Sequence, residues 1–205
     1  MKVPSKKDIT PKQLLAKWKD ANKKDYQKAI ANNEFLHKNS AELVEIMESE
    51  GLEFNSLCEI GCGNGRNLWY IQQNFPDASY SGNDLDINQF KKHKPKSLVM
   101  DYSQADTLAY VTSKQSGFPD AVLESDHLMH IDPASVDEIL ETICNFWKPK
   151  YFVTRRPIVG RDNKMPYIWL HDYSVFEKDY DLKSFQSKAA KESKDYKIDI
   201  YTRRA

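Results

Sequence analysis

The chain has 205 residues and equal numbers of basic and acidic side chains, 30 Lys and Arg against 30 Asp and Glu, so its net charge is zero. At 40% hydrophobic and 12% aromatic residues it can bury a core, which excludes global disorder. No apolar run approaches the roughly 20 residues of a membrane span. Balanced charge disfavours an electrostatic nucleic-acid binder. The N-terminus shows no secretory signal, and three cysteines are too few for a disulfide framework, so we expect a cytoplasmic protein with reduced thiols.

The first fifty residues predict a helical extension. From Thr10 to Trp18 the spacing of apolar residues suits a short helix. A second helical stretch covers about residues 25–50 and ends before Gly51, which stands where a C-cap glycine would. We therefore expect residues 1–50 to form a helical extension or lid, and residues 51–205 to form the main domain.

Beyond this extension, short apolar segments alternate with amphipathic helical ones. Predicted strands cover residues 55–60, 78–83, 97–100, 121–123 and 151–155. Helical periodicity covers residues 66–75 and 136–147. This alternation predicts an α/β fold with a parallel sheet and helices on both faces. Residues 182–188 and 196–203 alternate in hydrophobicity and predict an antiparallel hairpin at the edge of the sheet.

Three of the seven glycines, Gly61, Gly63 and Gly65, fall within five residues, directly after the first predicted strand. Glycine adopts left-handed conformations and lets a ligand approach the backbone closely. Ligands of open parallel sheets bind beyond the carboxyl ends of the strands, which is where this turn lies. The dinucleotide fingerprint G-x-G-x-x-G would need its third glycine at position 66, which is Arg66. The spacing therefore disfavours a nicotinamide dinucleotide.

Acidic residues stand at the ends of the first four predicted strands, at Glu59, Asp84, Asp101 and Asp126. A sulfonium cation with an amino-acid tail suits so many carboxylates better than an anionic pyrophosphate does. Asp84 lies 23 residues after Gly61. That is close to the distance of about 20 residues at which an acid meets ribose hydroxyls in nucleotide-binding sheets.

Together the glycines and the strand-end acids match a known sequence pattern. Glu59–Gly65 (EIGCGNG) fits E/D-x-G-x-G-x-G, residues 81–86 (SGNDLD) resemble a G-x-D segment, and residues 119–131 resemble a fourth strand and its loop. Over about residues 52–157 the chain resembles class I S-adenosylmethionine-dependent methyltransferases. The resemblance implies a Rossmann-like, mostly parallel sheet of seven strands, with only the last strand antiparallel, and S-adenosyl-L-methionine as cofactor.

The resemblance also implies which residues contact the cofactor. Asp84 would hold the ribose and Asp101 would lie near the adenine amine. The candidate cofactor contacts are Glu59, Gly61, Cys62, Gly63, Gly65, Asn67, Asp84, Leu85, Asp101, Tyr102 and Asp126. Metal-dependent members carry an E-x-x-E-H pattern after the fourth strand. Residues 126–130 lack its second acid, so we expect no metal.

Two histidines and two arginines are candidates for the acceptor side of the site. His127 and His171 are candidate catalytic bases, because imidazole titrates near neutral pH, and a buried structural role is the alternative at both positions. Arg155 and Arg156 follow the fifth predicted strand. Arginine suits bidentate capture of a carboxylate or phosphate on the acceptor. The alternative is that one arginine pairs with a surface acid and the other is solvated.

These features predict methyl transfer to a small-molecule acceptor, on oxygen or nitrogen, by in-line displacement. The N-terminal helices and residues 157–181 would form the acceptor pocket. Neutral overall charge disfavours nucleic acid as the acceptor, and no membrane partner is expected. Two alternatives stay open at this point: an RNA or protein methyltransferase that uses the basic residues 91–96, and a catalytically silent, cofactor-binding partner subunit. The pattern specifies neither the acceptor nor the oligomeric state.

Overall fold

The computed structural model describes residues 34–85, 87–158, 169–189 and 196–205. The helix predicted from Thr10 to Trp18 lies outside these ranges, as does the beginning of the second predicted helix. Residues 159–168, within the predicted acceptor pocket, also lie outside them. Within the described ranges, no helix is long and apolar enough to cross a membrane.

Helices and strands alternate from β1 to β5, over residues 56–157, as the hydrophobic pattern predicts. The helices are α1 Glu34–Ser49, α2 Arg66–Asn74, α3 Ile87–His93, α4 Thr107–Ser113 and α5 Pro133–Thr142, which a π-helical turn extends through Ile143–Trp147. The strands are β1 Ser56–Ile60, β2 Ser79–Asp84, β3 Asp101–Gln104, β4 Ala121–Ser125, β5 Tyr151–Pro157, β6 Tyr180–Gln186 and β7 Tyr196–Arg203. Short 3-10 turns cover Leu128–His130 and Ser174–Phe176.

Seven strands form one sheet within the described residues, in the order β3-β2-β1-β4-β5-β7-β6. Neighbouring strands are parallel from β3 to β5, and β7 is antiparallel to both β5 and β6. The predicted fold, with β7 alone antiparallel among these strands, is thus confirmed. Strand order reverses on either side of β1, which opens a crevice at the carboxyl ends of β1 and β4.

Alternate residues of each strand point to opposite faces of the sheet, and each face has its own core. On the α1–α2 face, Leu43 and Leu68 pack with Leu57 of β1 and Val153 of β5. The α4–α5 face buries a second cluster that contains Val111, Ile139, Leu140, Ile60 and Phe152. Glu59 shares the face of Leu57, and Glu124 shares the face of Val122, so two buried acids lie on opposite faces.

The third strand begins four residues later than predicted, at Asp101. Leu98, the apolar centre of the predicted segment, is buried instead against the glycine loop, where its side chain approaches Gly65. The prediction that Asp101 follows the third strand is therefore wrong. Asp101 pairs with Ser81, whereas Asp84 pairs with Gln104, so Asp101 lies exposed and three residues short of the carboxyl edge.

Candidate active site

The loop between β1 and α2 has the left-handed backbone that its glycines predict. Gly61, Gly63 and Gly65 have φ angles of 68°, 55° and 77°. The Cys62 N–H donates to the Asn83 carbonyl at 2.9 Å, and the Gly65 N–H donates to the Cys62 carbonyl at 2.8 Å. These bonds hold the loop against the end of β2, in a conformation that L-residues adopt only at a cost.

Protein side chains, rather than open space, occupy the room that two of these glycines leave. A Cβ on Gly61 would lie 2.0 Å from the His127 ring, and a Cβ on Gly65 would lie 2.4 Å from the Leu98 side chain. Gly82 on β2 is similar, since its Cβ would lie 2.8 Å from the Glu59 carbonyl oxygen. Close packing within the protein therefore accounts for glycine at these positions.

Asp84 ends β2 with its carboxylate fixed beside the glycine loop. Its Oδ2 accepts a hydrogen bond from the Gly63 N–H at 2.8 Å, and its Oδ1 accepts one from the Leu85 N–H at 2.6 Å. The side chain is half-buried. Two backbone donors thus orient a charged acceptor at the crevice, and Gly63 and Leu85, both predicted cofactor contacts, take part directly.

Glu59 is a buried carboxylate that is only half satisfied. It is 1% exposed, and its Oε1 accepts from Asn67 Nδ2 at 2.7 Å. Its Oε2 has no hydrogen-bond partner among the described residues. Burial raises the pKa of Glu59 to about 8, against the opposing effects of Asn67 and Arg66. An unpartnered buried acceptor is costly, so this oxygen suits a donor or a cation supplied by a ligand.

A short hydrogen-bond chain ties Glu59 to the first helix. Ser40 Oγ donates to Asn67 Oδ1 at 2.6 Å, and Arg66 Nε donates to Ser40 Oγ at 2.9 Å. Because the Asn67 oxygen accepts from Ser40, its amide group must point toward Glu59. Helix α1 therefore contributes to the site through Ser40, a residue that the motif comparison did not identify.

Glu124 is the counterpart of Glu59 on the α4–α5 face, and each of its oxygens has partners. Its Oε1 accepts from the N–H groups of His127 and Leu128 at 2.8 and 2.9 Å. Its Oε2 accepts from Thr154 Oγ1 at 2.5 Å and from the more distant Tyr173 hydroxyl at 3.4 Å. Burial raises its pKa as well. Glu124 thus anchors the turn that carries His127.

The two predicted arginines separate to opposite faces of the sheet. Arg156 donates from both Nε and Nη2 to Asp199 of β7, at 2.9 and 2.8 Å, and stacks 4.4 Å from the centre of the Tyr173 ring. Arg155 pairs through Nη1 with Asp126, which has a left-handed φ of 59°. The expectation that one of the two is solvated is therefore wrong, since each is paired with an acid, and the acid of Arg156 is buried and not on the surface.

Both candidate bases are hydrogen-bonded, and burial lowers the pKa of each. His127 Nε2 lies 2.7 Å from Thr107 Oγ1, and desolvation lowers its pKa to about 4. His171 Nε2 lies 2.9 Å from the Leu128 carbonyl, so this nitrogen carries the proton. Burial lowers the pKa of His171, while the charges of Asp137 and Asp132 act in the opposite direction.

The structure thus brings most of the predicted cofactor contacts to the carboxyl edge of the sheet. Cys62 is buried in the loop, and Tyr102 lies within β3, where it stacks on Phe90 with ring centres 4.2 Å apart. Asp101 is displaced from this edge, as described above. Among the described residues, no group of three or more His, Cys, Asp or Glu side chains could hold a metal ion.

Comparison with known protein families agrees with this arrangement. A family model described as a methyltransferase domain matches residues 57–150, which include the glycine loop, Asp84 and β4. Residues 57–150 are a class I S-adenosylmethionine-dependent methyltransferase domain. Its cofactor is S-adenosylmethionine. No curated protein sequence matches the chain.

Solved methyltransferase structures share the fold of this methyltransferase at low sequence identity. Magnesium protoporphyrin IX methyltransferase from Synechocystis PCC 6803, with bound S-adenosylhomocysteine, has a TM-score of 0.71 at 12% identity, over 94% of this chain and 100% of that one. The methyltransferase domain of bacterial CtHen1 has a TM-score of 0.62 at 17% identity, over 83% and 100%. N-methyltransferase NodS from Bradyrhizobium japonicum WM9 has a TM-score of 0.62 at 12% identity, over 85% and 99%.

Proposed function

We propose that this methyltransferase acts on a small-molecule acceptor, at an oxygen or a nitrogen atom. The observation that carries the proposal is the burial of Arg155, a polar group at the carboxyl end of β5. The residue is 1% exposed. A large RNA or protein surface would meet exposed side chains, whereas groups this deep serve a ligand small enough to enter between the strand ends.

The residues of the crevice fit S-adenosylmethionine, which supplies a methyl group made electrophilic by a sulfonium. Asp84, held by two backbone donors, is placed to accept hydrogen bonds from ribose hydroxyls. The unpartnered Oε2 of Glu59 suits the positive charge of the amino-acid tail. Gly61, Gly63 and Gly65 set the path of the loop between these two acids. The role of the chain is to align the acceptor with the methyl group and to exclude water.

Of the two candidate bases, His171 suits proton transfer better. Its Nε2–H is held by the Leu128 carbonyl, which leaves Nδ1 as the unprotonated nitrogen of the neutral ring. The nearby Asp132 and Asp137 favour the imidazolium that a base must become. His127 has a pKa of about 4, far below neutral pH, so it would be a weak base. We assign His127 to the wall of the site and His171 to proton transfer from an oxygen acceptor.

Calorimetric titration of the purified chain with S-adenosylmethionine and with NAD tests the cofactor site. We expect binding of the former only, and an affinity loss of about 10- to 100-fold in Asp84→Ala, because a charge-assisted hydrogen-bond acceptor is lost. Asp101→Ala is the matched control and should bind normally, since Asp101 is exposed and away from the crevice. Unchanged affinity in Asp84→Ala would contradict the assignment.

Screening a metabolite panel for production of S-adenosylhomocysteine tests the acceptor class. We expect turnover with at least one small hydroxy or amino compound, and no salt-dependent binding of RNA in a parallel titration. For an oxygen acceptor, His171→Asn should lower kcat by about 100-fold or more while the cofactor affinity stays unchanged. Turnover with RNA or protein substrates alone would overturn the small-molecule proposal.

A further inference from the structure

Arg155 has a buried guanidinium edge without a partner. The residue is 1% exposed, and its Nη1 pairs with Asp126. Its Nε and Nη2 have no hydrogen-bond partner among the described residues. These two nitrogens lie on one edge of the planar group, where their N–H bonds run parallel and match the two oxygens of a carboxylate.

The same strand shows what that edge binds when it is occupied. Arg156, the next residue of β5, directs its own Nε and Nη2 to one carboxylate oxygen, Asp199 Oδ2, at 2.9 and 2.8 Å. Both arginines also lie over an aromatic ring, Arg155 at 4.5 Å from the centre of Tyr196 and Arg156 at 4.4 Å from that of Tyr173. Arg155 therefore shares with Arg156 a position over an aromatic ring, but its acid contacts Nη1 and leaves the Nε–Nη2 edge without a partner among the described residues.

Burial makes the empty edge costly, because donors on a charged group lose water without gaining a partner. A second unsatisfied group belongs to the same layer. Asn39 of α1 is 4% exposed, and neither its Nδ2 nor its Oδ1 has a partner among the described residues. Asn39 stands one helical turn before Leu43, and Leu43 packs in the same core as Val153. Val153 lies two residues before Arg155, on the same face of β5.

The position of Arg155 separates it from the ribose end of the cofactor site. Asp84 ends β2, and β1 and β4 lie between β2 and β5. Three strand spacings amount to about 14 Å. On the proposed path of the cofactor, from Asp84 toward Glu59 of β1, Arg155 lies on the far side, where the acceptor would enter.

We propose that Arg155 binds a carboxylate of the methyl acceptor through Nε and Nη2, which makes the acceptor a small organic acid. This inference rests on the proposed function. The carboxylate of Asp126 already balances the positive charge of Arg155. A planar monoanion therefore fits the edge better than a phosphate dianion. Arg155 is then a determinant of specificity, and the transferred methyl group is received by another atom of the same molecule.

Thermal unfolding with simple anions tests the edge directly, using the whole chain saturated with S-adenosylhomocysteine. At equal ionic strength, sodium acetate should raise the Tm of the wild type above its value in sodium chloride by about 2–4 °C. Arg155→Lys keeps the charge but loses the edge and should lose this increase. Arg156→Lys is the matched control on the opposite face and should keep it, even if its Tm in chloride is lower.

Kinetics with matched acceptors provide the second measurement. For each acid that the wild type methylates, the neutral amide of that acid should have a KM about 10- to 100-fold higher, and Arg155→Lys should remove most of this difference. Three outcomes would overturn the inference: equal Tm values in acetate and chloride, an acetate response retained by Arg155→Lys, or a larger increase in Tm with inorganic phosphate than with acetate. Weaker binding of S-adenosylhomocysteine to Arg155→Lys would do so too, by assigning the edge to the carboxylate of the cofactor. Normal cofactor binding and turnover by the wild type, alongside any of these four results, would leave the proposed function intact.

Discussion

Each face of the sheet carries a buried glutamate and an arginine near the same edge, and the two pairs differ in how many of their polar atoms have hydrogen-bond partners. On the α4–α5 face, Glu124 accepts from four donors and Arg156 is paired with Asp199. On the α1–α2 face, Glu59 lacks a partner for one oxygen and Arg155 lacks partners for two nitrogens among the described residues. The residue types are the same on both faces, yet the local arrangement differs.

This difference separates structural polar groups from groups that await a ligand. Buried polar atoms in folded proteins are nearly always hydrogen-bonded, so an acid–arginine pair on one face that breaks this rule needs a reason. Glu124, which is 1% exposed like Glu59, shows that the fold can supply partners for an acid at this depth. We infer that Glu59 and Arg155 are left incomplete because a cofactor and an acceptor complete them.

Glu124→Ala gives the largest expected effect and tests this division. The substitution strands two backbone N–H groups and two hydroxyls in the core, so we expect a loss of about 3–5 kcal/mol in the free energy of unfolding. Glu59→Ala leaves a similar cavity but strands only the Asn67 amide, and should cost about 1–2 kcal/mol. Urea unfolding of both variants without cofactor measures the difference. Equal losses would show that the two acids have the same structural role.

The pH dependence of the free energy of unfolding isolates the contribution of the ionisable Glu59 side chain. The pKa of Glu59 is about 8 in the folded protein, against an ordinary value of 4.5 in the unfolded chain. Between these two pH values the folded state holds a proton that the unfolded state has released. The stability due to this group is present below pH 4.5 and is lost as pH rises through 8, at up to about 1.4 kcal/mol per pH unit. Glu59→Gln should remove that slope and gain stability relative to the wild type as pH rises.

Urea unfolding at pH 5, 6, 7 and 8 provides the measurement for Glu59→Gln. The raised pKa of Glu124 contributes a slope of the same sign, and the variant retains it. The difference between the two proteins therefore reports Glu59 alone. Parallel stability curves would mean that Glu59 is ionised normally and already has a counter-charge.

Most of the fold could be predicted from the sequence because buried parallel strands are continuous apolar runs. The predicted starts of β1, β2, β4, β5 and β7 lie within one residue of the structure. The third strand was placed wrongly because β3 is a short edge strand of polar residues, whereas the apolar Leu98 before it serves the packing of Gly65. Hydrophobic periodicity detects burial, and at this edge burial and strand formation belong to different residues.

The site could be predicted only as far as its motif extends. The sequence motif identified Glu59, Asp84 and the glycines, because these residues lie at fixed, short spacings along the chain. It could not distinguish Arg155 from Arg156, because the partner of Arg156 is Asp199, more than 40 residues away on a strand that inserts between β5 and β6. Nor could it show that Glu124 is satisfied, since Thr154 and Tyr173 meet it only in the folded sheet.

Gly61→Ala tests the contact between the glycine loop and the turn held by Glu124. The new Cβ would meet the His127 ring at 2.0 Å, on a backbone with φ of 68°. We expect a loss of about 2–3 kcal/mol from overpacking and left-handed strain. Adding His127→Ala should relieve the clash but not the strain, so a double-mutant cycle should show favourable coupling of about 1 kcal/mol or more. Additive losses would mean that the loop moves to accommodate the methyl group.

His127→Gln gives the smallest expected effect at neutral pH, and its pH dependence of stability has the opposite sign to that of Glu59. The imidazole has a pKa of about 4 in the folded protein, against an ordinary value of 6.5 in the unfolded chain. As pH falls, the unfolded chain therefore takes up a proton before the folded protein does. The stability due to the neutral ring is present above pH 6.5 and is lost as pH falls through 4, by about 3 kcal/mol in total. Glutamine retains a partner for Thr107 and does not titrate, so the acidic side of the stability curve should flatten. An unchanged acidic side would mean that water reaches the ring and that His127 titrates near neutral pH, which would restore it as a candidate base beside His171.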